Sequence, residues 1–175
     1  MSIPYASVDD LLAVLVKHLS ESRYSHTYAN ETEFEIDVWN RLISIMSEVV
    51  QDTSISCLTS HTAGHKGRSD IAWKAFCREE RGPDVKVLGS NNRLDIIVKH
   101  PMGGSIGIEV KCLGNGGHTA KLTQGIGQAT LALAHRDRTL LVIHCGTVES
   151  GEREHLREVA KKICEGTRMS IVVVP

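Results

Sequence analysis

Aromatic residues are scarce in this chain: two Phe, two Trp and three Tyr make up 4% of its 175 residues. Proteins that hold single-stranded nucleic acid without reading its sequence stack bases on aromatic side chains. No such platform is visible here. A surplus of positive charge is missing as well. Twenty Lys and Arg stand against 21 Asp and Glu, a formal net charge of −1. With no global basic excess to announce a polyanion, any surface for one has to come from local clustering. No apolar run approaches the length of a membrane span. Asp9 and Asp10 precede the first short apolar stretch and no cationic segment leads it, so a secretory signal is not expected. The five cysteines are odd in number and lack C-x-x-C spacing, which points to reduced thiols in a cytoplasm rather than a disulfide framework. Cys57, His61, His65 and Cys77 fit no common zinc-finger spacing. Repeats and low-complexity linkers are absent. What remains, 41% hydrophobic and 23% charged, suits a single globular domain over residues 1–175 with one core.

The informative stretch is residues 93–111, RLDIIVKHPMGGSIGIEVK. Pro and Gly at 101–104 punctuate two runs that alternate with the period of a strand. Pairing Lys99 with Ser105 sets Val98 against Ile106, Ile96 against Ile108 and Leu94 against Val110, all on one face. The other face then carries Asp95 across from Glu109, with Lys111 two residues on. In this register Arg93 opposes Lys111, an unfavourable like-charge pair that a two-residue shift would relieve. A one-residue slip would swap the faces and bury the charges.

Two adjacent carboxylates repel, and one tends to keep a proton unless a cation intervenes. Mg²⁺ prefers oxygen ligands and is typically held by one or two carboxylates plus substrate phosphate. A lysine beside such a metal can position or deprotonate water, or stabilise charge on the phosphate. The competing reading is an exposed hairpin with a surface ion pair. The loop length, the two apolar faces and the helix that follows agree with one another, and that agreement favours the metal site.

These residues resemble the PD-(D/E)xK nuclease superfamily: Leu94-Asp95, then Ile108-Glu109-Val110-Lys111, then a helix bearing Gln124 and Gln128. Leu94 stands where the family name has Pro. The resemblance covers the chain from about residue 30 to its end, except for a middle insertion over 61–90. It implies a restriction endonuclease-like core, αβββαβ, behind an N-terminal helix and loop at 1–29. It also implies a Mg²⁺- or Mn²⁺-dependent endonuclease hydrolysing phosphodiester bonds, with DNA favoured over RNA. Asp95, Glu109 and the Val110 carbonyl would bind metal, and Lys111 would serve the attacking water. By the same resemblance Glu35, or Glu31 one turn earlier, reaches the metal site from the first helix, and Gln124, then Gln128, borders it from the later one. The absence of a sequence-reading module suits a partner-directed or structure-selective enzyme of restriction, defence, recombination or repair. A homodimer or a partner subunit is part of that expectation, and a membrane is not.

The rest of the chain reads as α/β, a mixed sheet flanked by helices. Helices are expected over 7–20, capped by Ser7; over 30–51, capped by Asn30; over 118–135; and over 151–165. Strands are expected at 54–60, at 138–145, covered on both faces, and at 169–174, a final buried strand. The basic loop with Lys66 and Arg68 is a candidate contact for nucleic acid, as is Gln128. Asp70 and Asp84-Val85-Lys86 repeat the acidic pattern, but a turn at 88–92 follows instead of a helix. His135, Arg136 and Arg138 fit the negative end of the glutamine helix better than a nucleic-acid backbone. Gly125 and Gly127 each cost that helix of order 1 kcal/mol against Ala, which implies close packing or close approach of substrate. Two rivals stay open: a non-catalytic nucleic-acid-binding or assembly module of nuclease-like fold, and a nucleotide-binding α/β protein using the Gly114–Gly117 loop.

Overall fold

The computed structural model describes residues 7–48, 58–60, 85–100, 102–114 and 116–175. Helix α1 (Val8–Glu21) starts at a capping box: Asp10 N–H donates to Ser7 Oγ at 3.2 Å, and Ser7 N–H donates to Asp10 Oδ2 at 3.0 Å. Leu11, Leu15 and Leu19 line its buried stripe. Helix α2 (Glu31–Glu48) begins in a similar way, with Glu33 N–H on Asn30 Oδ1 at 3.0 Å and Ala29 N–H on Glu33 Oε2 at 2.9 Å. Phe34, Val38 and Leu42 are its fully buried residues.

The sheet is built from β1 (Leu58–Ser60), β4 (Ile96–Lys99), β5 (Ser105–Cys112), β6 (Arg138–His144) and β7 (Met169–Val174), in that spatial order. The first two pairings are antiparallel and the last two parallel. Helix α3 (His118–Ala132) links β5 to β6, and α4 (Ser150–Cys164) links β6 to β7. Both are crossovers of the kind parallel strands require. Ile106, Ile108, Val110, Leu140 and Val142 pack with α1 and α2. Leu141 and Ile143 pack on the opposite face with α3 residues such as Ala129. The fold is therefore α/β, with a mixed sheet covered on both sides, and the centre of β6, Leu140 to Ile143, is continuously apolar because it is buried on both sides.

The β4–β5 ladder has the register expected from the apolar residues: Ile96 with Ile108, Val98 with Ile106, Lys99 with Ser105. It stops at Ile96, so Arg93 never comes opposite Lys111 and no shift is needed. One expectation is overturned. Leu94 does not join the Val98–Ile106 face, because alternation holds only within the strand. Its side chain instead lies over Gly107, where any Cβ would overlap the Leu94 methyl.

A second correction concerns one member of the basic cluster, Arg138. Arg138 pairs with Asp9 of α1, its Nη2 2.7 Å from Asp9 Oδ2. The carbonyl of Leu133, at the end of α3, accepts instead from Arg168 Nη2 at 3.2 Å.

Part of the middle stretch is a separate hairpin, β2 (Val85–Val87) paired with β3 (Ser90–Asn92). The turn expected over 88–92 is confined to Leu88-Gly89. Both residues have positive φ, 48° and 81°, as a two-residue primed turn requires. Leucine is strained there, and Leu88 is fully exposed. Replacing Leu88 with Asn should raise stability by about 0.5–1 kcal/mol, read from the urea midpoint. A lower midpoint would show that the leucine makes a contact that holds the hairpin. Lys66, Arg68, Asp70, Asp84 and the group Cys57, His61, His65 and Cys77 lie outside the described residues, as do Lys74, Arg78 and Arg81, which the sequence offers as a DNA-contacting arm.

Candidate active site at the open edge of β5

Strand β5 outruns its neighbour. β4 pairs only as far as Ile108, while β5 continues to Cys112. Among the described residues no strand pairs with Val110 and Cys112 on that side, and their backbone groups must be satisfied some other way. Carboxylates do it. Val110 N–H donates to Asp95 Oδ2 at 2.8 Å, and Cys112 N–H to Glu31 Oε2 at 3.3 Å. Asp95 is delivered by the chain just before β4, and Glu31 by the first turn of α2. Within a strand the N–H and C=O of one residue turn to the same side, so the Val110 carbonyl faces this cleft too.

Lys111 ties the cluster together. Its Nζ stands 2.7 Å from Glu109 Oε1 and 3.1 Å from Glu31 Oε1. Its hydrocarbon stem is clamped by α3. A Cβ at Gly125 would lie 2.8 Å from Lys111 Cγ and 2.9 Å from Leu141 Cδ1. This explains the first of the two helix glycines as close packing on the catalytic candidate. A Cβ at Gly127 would meet nothing within 4 Å, and the structure gives no reason for that glycine. Gly125→Ala gains helix propensity but overfills the clamp. Overfilling costs about 1–3 kcal/mol against a gain near 1 kcal/mol, so the expected result is a lower unfolding midpoint. A stabilised variant would contradict the clamp.

Four carboxylates, Glu31, Glu35, Asp95 and Glu109, share this one ammonium. Glu109 is 1% exposed and Glu35 6%. Glu109 Oε2 and Glu35 Oε1 are buried without a hydrogen-bond partner among the described residues. Burial pushes the Glu35 carboxyl well up from its ordinary range, and Asp95, Glu31 and Glu109 push it further. Burial and then Asp95 push Glu109 up, against the pull of Lys111. Asp95 also rises through burial, opposed by Lys111 and by the Val110 N–H. Lys111 moves up too: burial alone would lower it, but Glu109 and Asp95 outweigh burial.

The expected residues therefore separate. Asp95, Glu109, Lys111 and the Val110 backbone come together, and Glu35 faces the same cluster. Glu31, expected only as a substitute, is the residue bonded to Lys111 and to the β5 edge. Gln124 is exposed beside the clamping Gly125. Gln128 is half-buried, its carbonyl accepting from Asn92 Nδ2 at 3.0 Å, which docks the β2–β3 hairpin on α3. Its Oε1 is buried without a partner among the described residues.

As they stand, no three His, Cys, Asp or Glu side chains among the described residues form a metal-holding group. The donor chemistry nevertheless fits a hard divalent cation. Every donor is oxygen, negative charge exceeds positive, and two buried carboxylate oxygens lack partners. Comparison with models of protein families, with curated proteins and with solved structures finds no match to this chain.

Proposed function

We propose that this protein is a metal-dependent nuclease of the PD-(D/E)xK kind, a DNA endonuclease whose sheet and flanking helices serve as a restriction endonuclease-like core. The observation that carries the reading is the crowding of Asp95, Glu109, Glu35 and Glu31 about Lys111 where β5 runs past β4, with buried carboxylate oxygens that have no partner among the described residues. Isolated buried carboxylates are costly, and such arrangements concentrate at functional sites.

Asp95, Glu109 and the Val110 carbonyl would hold Mg²⁺ or Mn²⁺. Bound there, the cation supplies Lewis-acid stabilisation of charge on the phosphate oxygens. The chain's own groups do the remaining work. Lys111, drawn up by its carboxylate neighbours in the metal-free site, would orient or activate the attacking water and oppose charge on the phosphate. Gly125 and Leu141 fix its stem, which limits where the ammonium can reach. Glu31 restrains it from the side of α2. Glu35 adds a further carboxyl to the same pool.

The test is cleavage of duplex, branched and single-stranded DNA and RNA with Mg²⁺ or Mn²⁺, beside the same reactions in chelator. Cation-dependent cutting is the expected result. Folded protein that cuts none of these substrates with either cation would remove the reading.

A further inference from the structure

A second feature adjoins the cluster. A cavity of about 310 Å³ lies between the segment that leads into α2 and the C-terminal ends of β5 and β6. Glu31 belongs to both places: its carboxylate bonds Lys111 and also lines the cavity. Cys112, the residue after Lys111, lines it as well.

The cavity is already formed. His144, 1% exposed, ties the leading segment to the sheet through Nε2 and Ser25 O at 3.0 Å. Tyr28 sets its ring edgewise on the same imidazole, with centroids 4.7 Å apart. Lys121 is fixed at the wall by donating to the carbonyls of Cys112 at 2.9 Å and Leu113 at 3.1 Å. An ammonium has three donors, so one remains to offer. Asn30 gives its oxygen to Glu33 N–H, which leaves its NH₂ as the group it can present. Glu31, the acidic lining group, is already engaged by Lys111 and the Cys112 N–H. Gly114 and Gly146, both at positive φ, complete the lining with bare backbone. The walls thus combine a cation, an amide donor and the Tyr28 ring, a set that suits a phosphate joined to a flat polar ring.

Size restricts the occupant. About 310 Å³ is at the small end of cavities that enclose organic ligands. It admits one nucleotide and excludes a base pair. We propose that this cavity takes a nucleoside phosphate unit, namely the nucleotide next to the scissile phosphate, turned out of its stack while Lys111 faces the bond to be cut. The proposal rests on the nuclease reading and adds a substrate class to it. Unstacking is easiest where the nucleotide is already unpaired or mismatched. The enzyme therefore prefers strands with an unpaired nucleotide beside the cut.

The experiment has two arms. In the first, metal-free protein in chelator is titrated with dAMP and with dCMP and followed by NMR, with inorganic phosphate and deoxyadenosine as controls. Saturable shifts at the amides of Asn30, Gly114 and His144 are expected from the nucleotides and not from the controls. Lys121→Met should weaken binding about tenfold. His26→Ala, an exposed change in the lining, gives a second variant in case the first does not fold. In the second arm, wild-type protein with Mg²⁺ or Mn²⁺ is given a paired duplex and the same duplex with one unpaired nucleotide. Cutting of the second about tenfold faster is expected. Absence of shifts overturns the cavity proposal whatever is cut. Shifts with equal rates on the two duplexes assign the cavity to free nucleotide and overturn the strand-bound form. Shifts without cutting of any substrate keep the nucleotide site and reject the nuclease.

Discussion

Lys111→Met should lower the rate of phosphodiester cleavage roughly a thousandfold, the loss seen when a preorganised charge-stabilising donor is removed. Methionine is the informative change because it keeps an unbranched stem between Gly125 and Leu141 while deleting the ammonium. Alanine would remove the packing as well, and the two effects could not be separated. Arginine should be nearly as damaging. A guanidinium is planar and wider than an ammonium, and the clamp leaves the stem no slack. The loss should fall on kcat rather than on substrate affinity, because Lys111 is turned toward carboxylates in the free protein and finds its phosphate partner only during reaction. The substitution also leaves Glu109 without its counter-ion. Breaking a buried pair from one side costs up to about 3–5 kcal/mol. Glu109, already pushed up, can relieve much of that by taking a proton. The variant should therefore be folded but less stable in chelator at neutral pH than at acid pH. Wild-type cleavage by a well-folded Lys111→Met protein would end the catalytic assignment.

Stability in the absence of a divalent cation should decline as pH rises. Asp95, Glu109 and Glu35 all have folded-state pKa values above their ordinary ones, and burial is the first cause for each. Between the ordinary carboxylate range, roughly pH 4, and the raised values, the native state binds more protons than the unfolded chain. A raised acid contributes its full stability below the unfolded pKa, and that contribution is lost as pH climbs through the folded one. Urea midpoints in chelator should therefore be lower at about pH 8 than at about pH 5. Mg²⁺ or Mn²⁺ should reverse the decline, because a cation favours the ionised carboxylates and stabilises the fold by about 2.7 kcal/mol at a hundred times its Kd. Glu35→Gln removes a carboxyl that must take up a proton to be buried, and keeps the shape. In chelator near pH 8 it should raise stability by roughly 1–3 kcal/mol and flatten the pH dependence. Midpoints that rise between the two pH values, with no response to cation, would mean that the carboxylates are not crowded in the native protein.

Much of this arrangement can be read from the chain, and the exceptions have physical causes. The alternation of Ile96, Val98, Ile106 and Ile108 specifies one pairing, because a slip would turn the apolar set of one strand away from the core it shares with α1 and α2. Leu94 escapes that rule because the strand has not yet begun, and the missing side chain at Gly107 leaves a place for it on the other face. Glu31 and Glu35 sit one turn apart on α2, so periodicity cannot rank them. The choice depends on how far β5 extends past β4, which is a property of the sheet and not of the helix. Gly125 signals a close approach through its cost to the helix, though not which side chain approaches. Ser90–Asn92 reads as a turn by composition, yet pairs as a strand once Leu88-Gly89 reverses the chain. The Arg138–Asp9 pair joins residues 129 apart, beyond any local pattern.

The end of β5, which has no partner strand beyond Ile108 on the β4 side among the described residues, has one more consequence. A bare strand edge is a template on which another polypeptide can extend the sheet, the first step toward aggregation. At Val110 and Cys112 the carboxylates of Asp95 and Glu31 already occupy the positions that an incoming chain's carbonyl oxygens would take. The acidic lining thus also guards against self-association. Trimming Glu31 and Asp95 to alanine together would expose the edge on two counts, by freeing its amides and by removing the charge that repels a second copy.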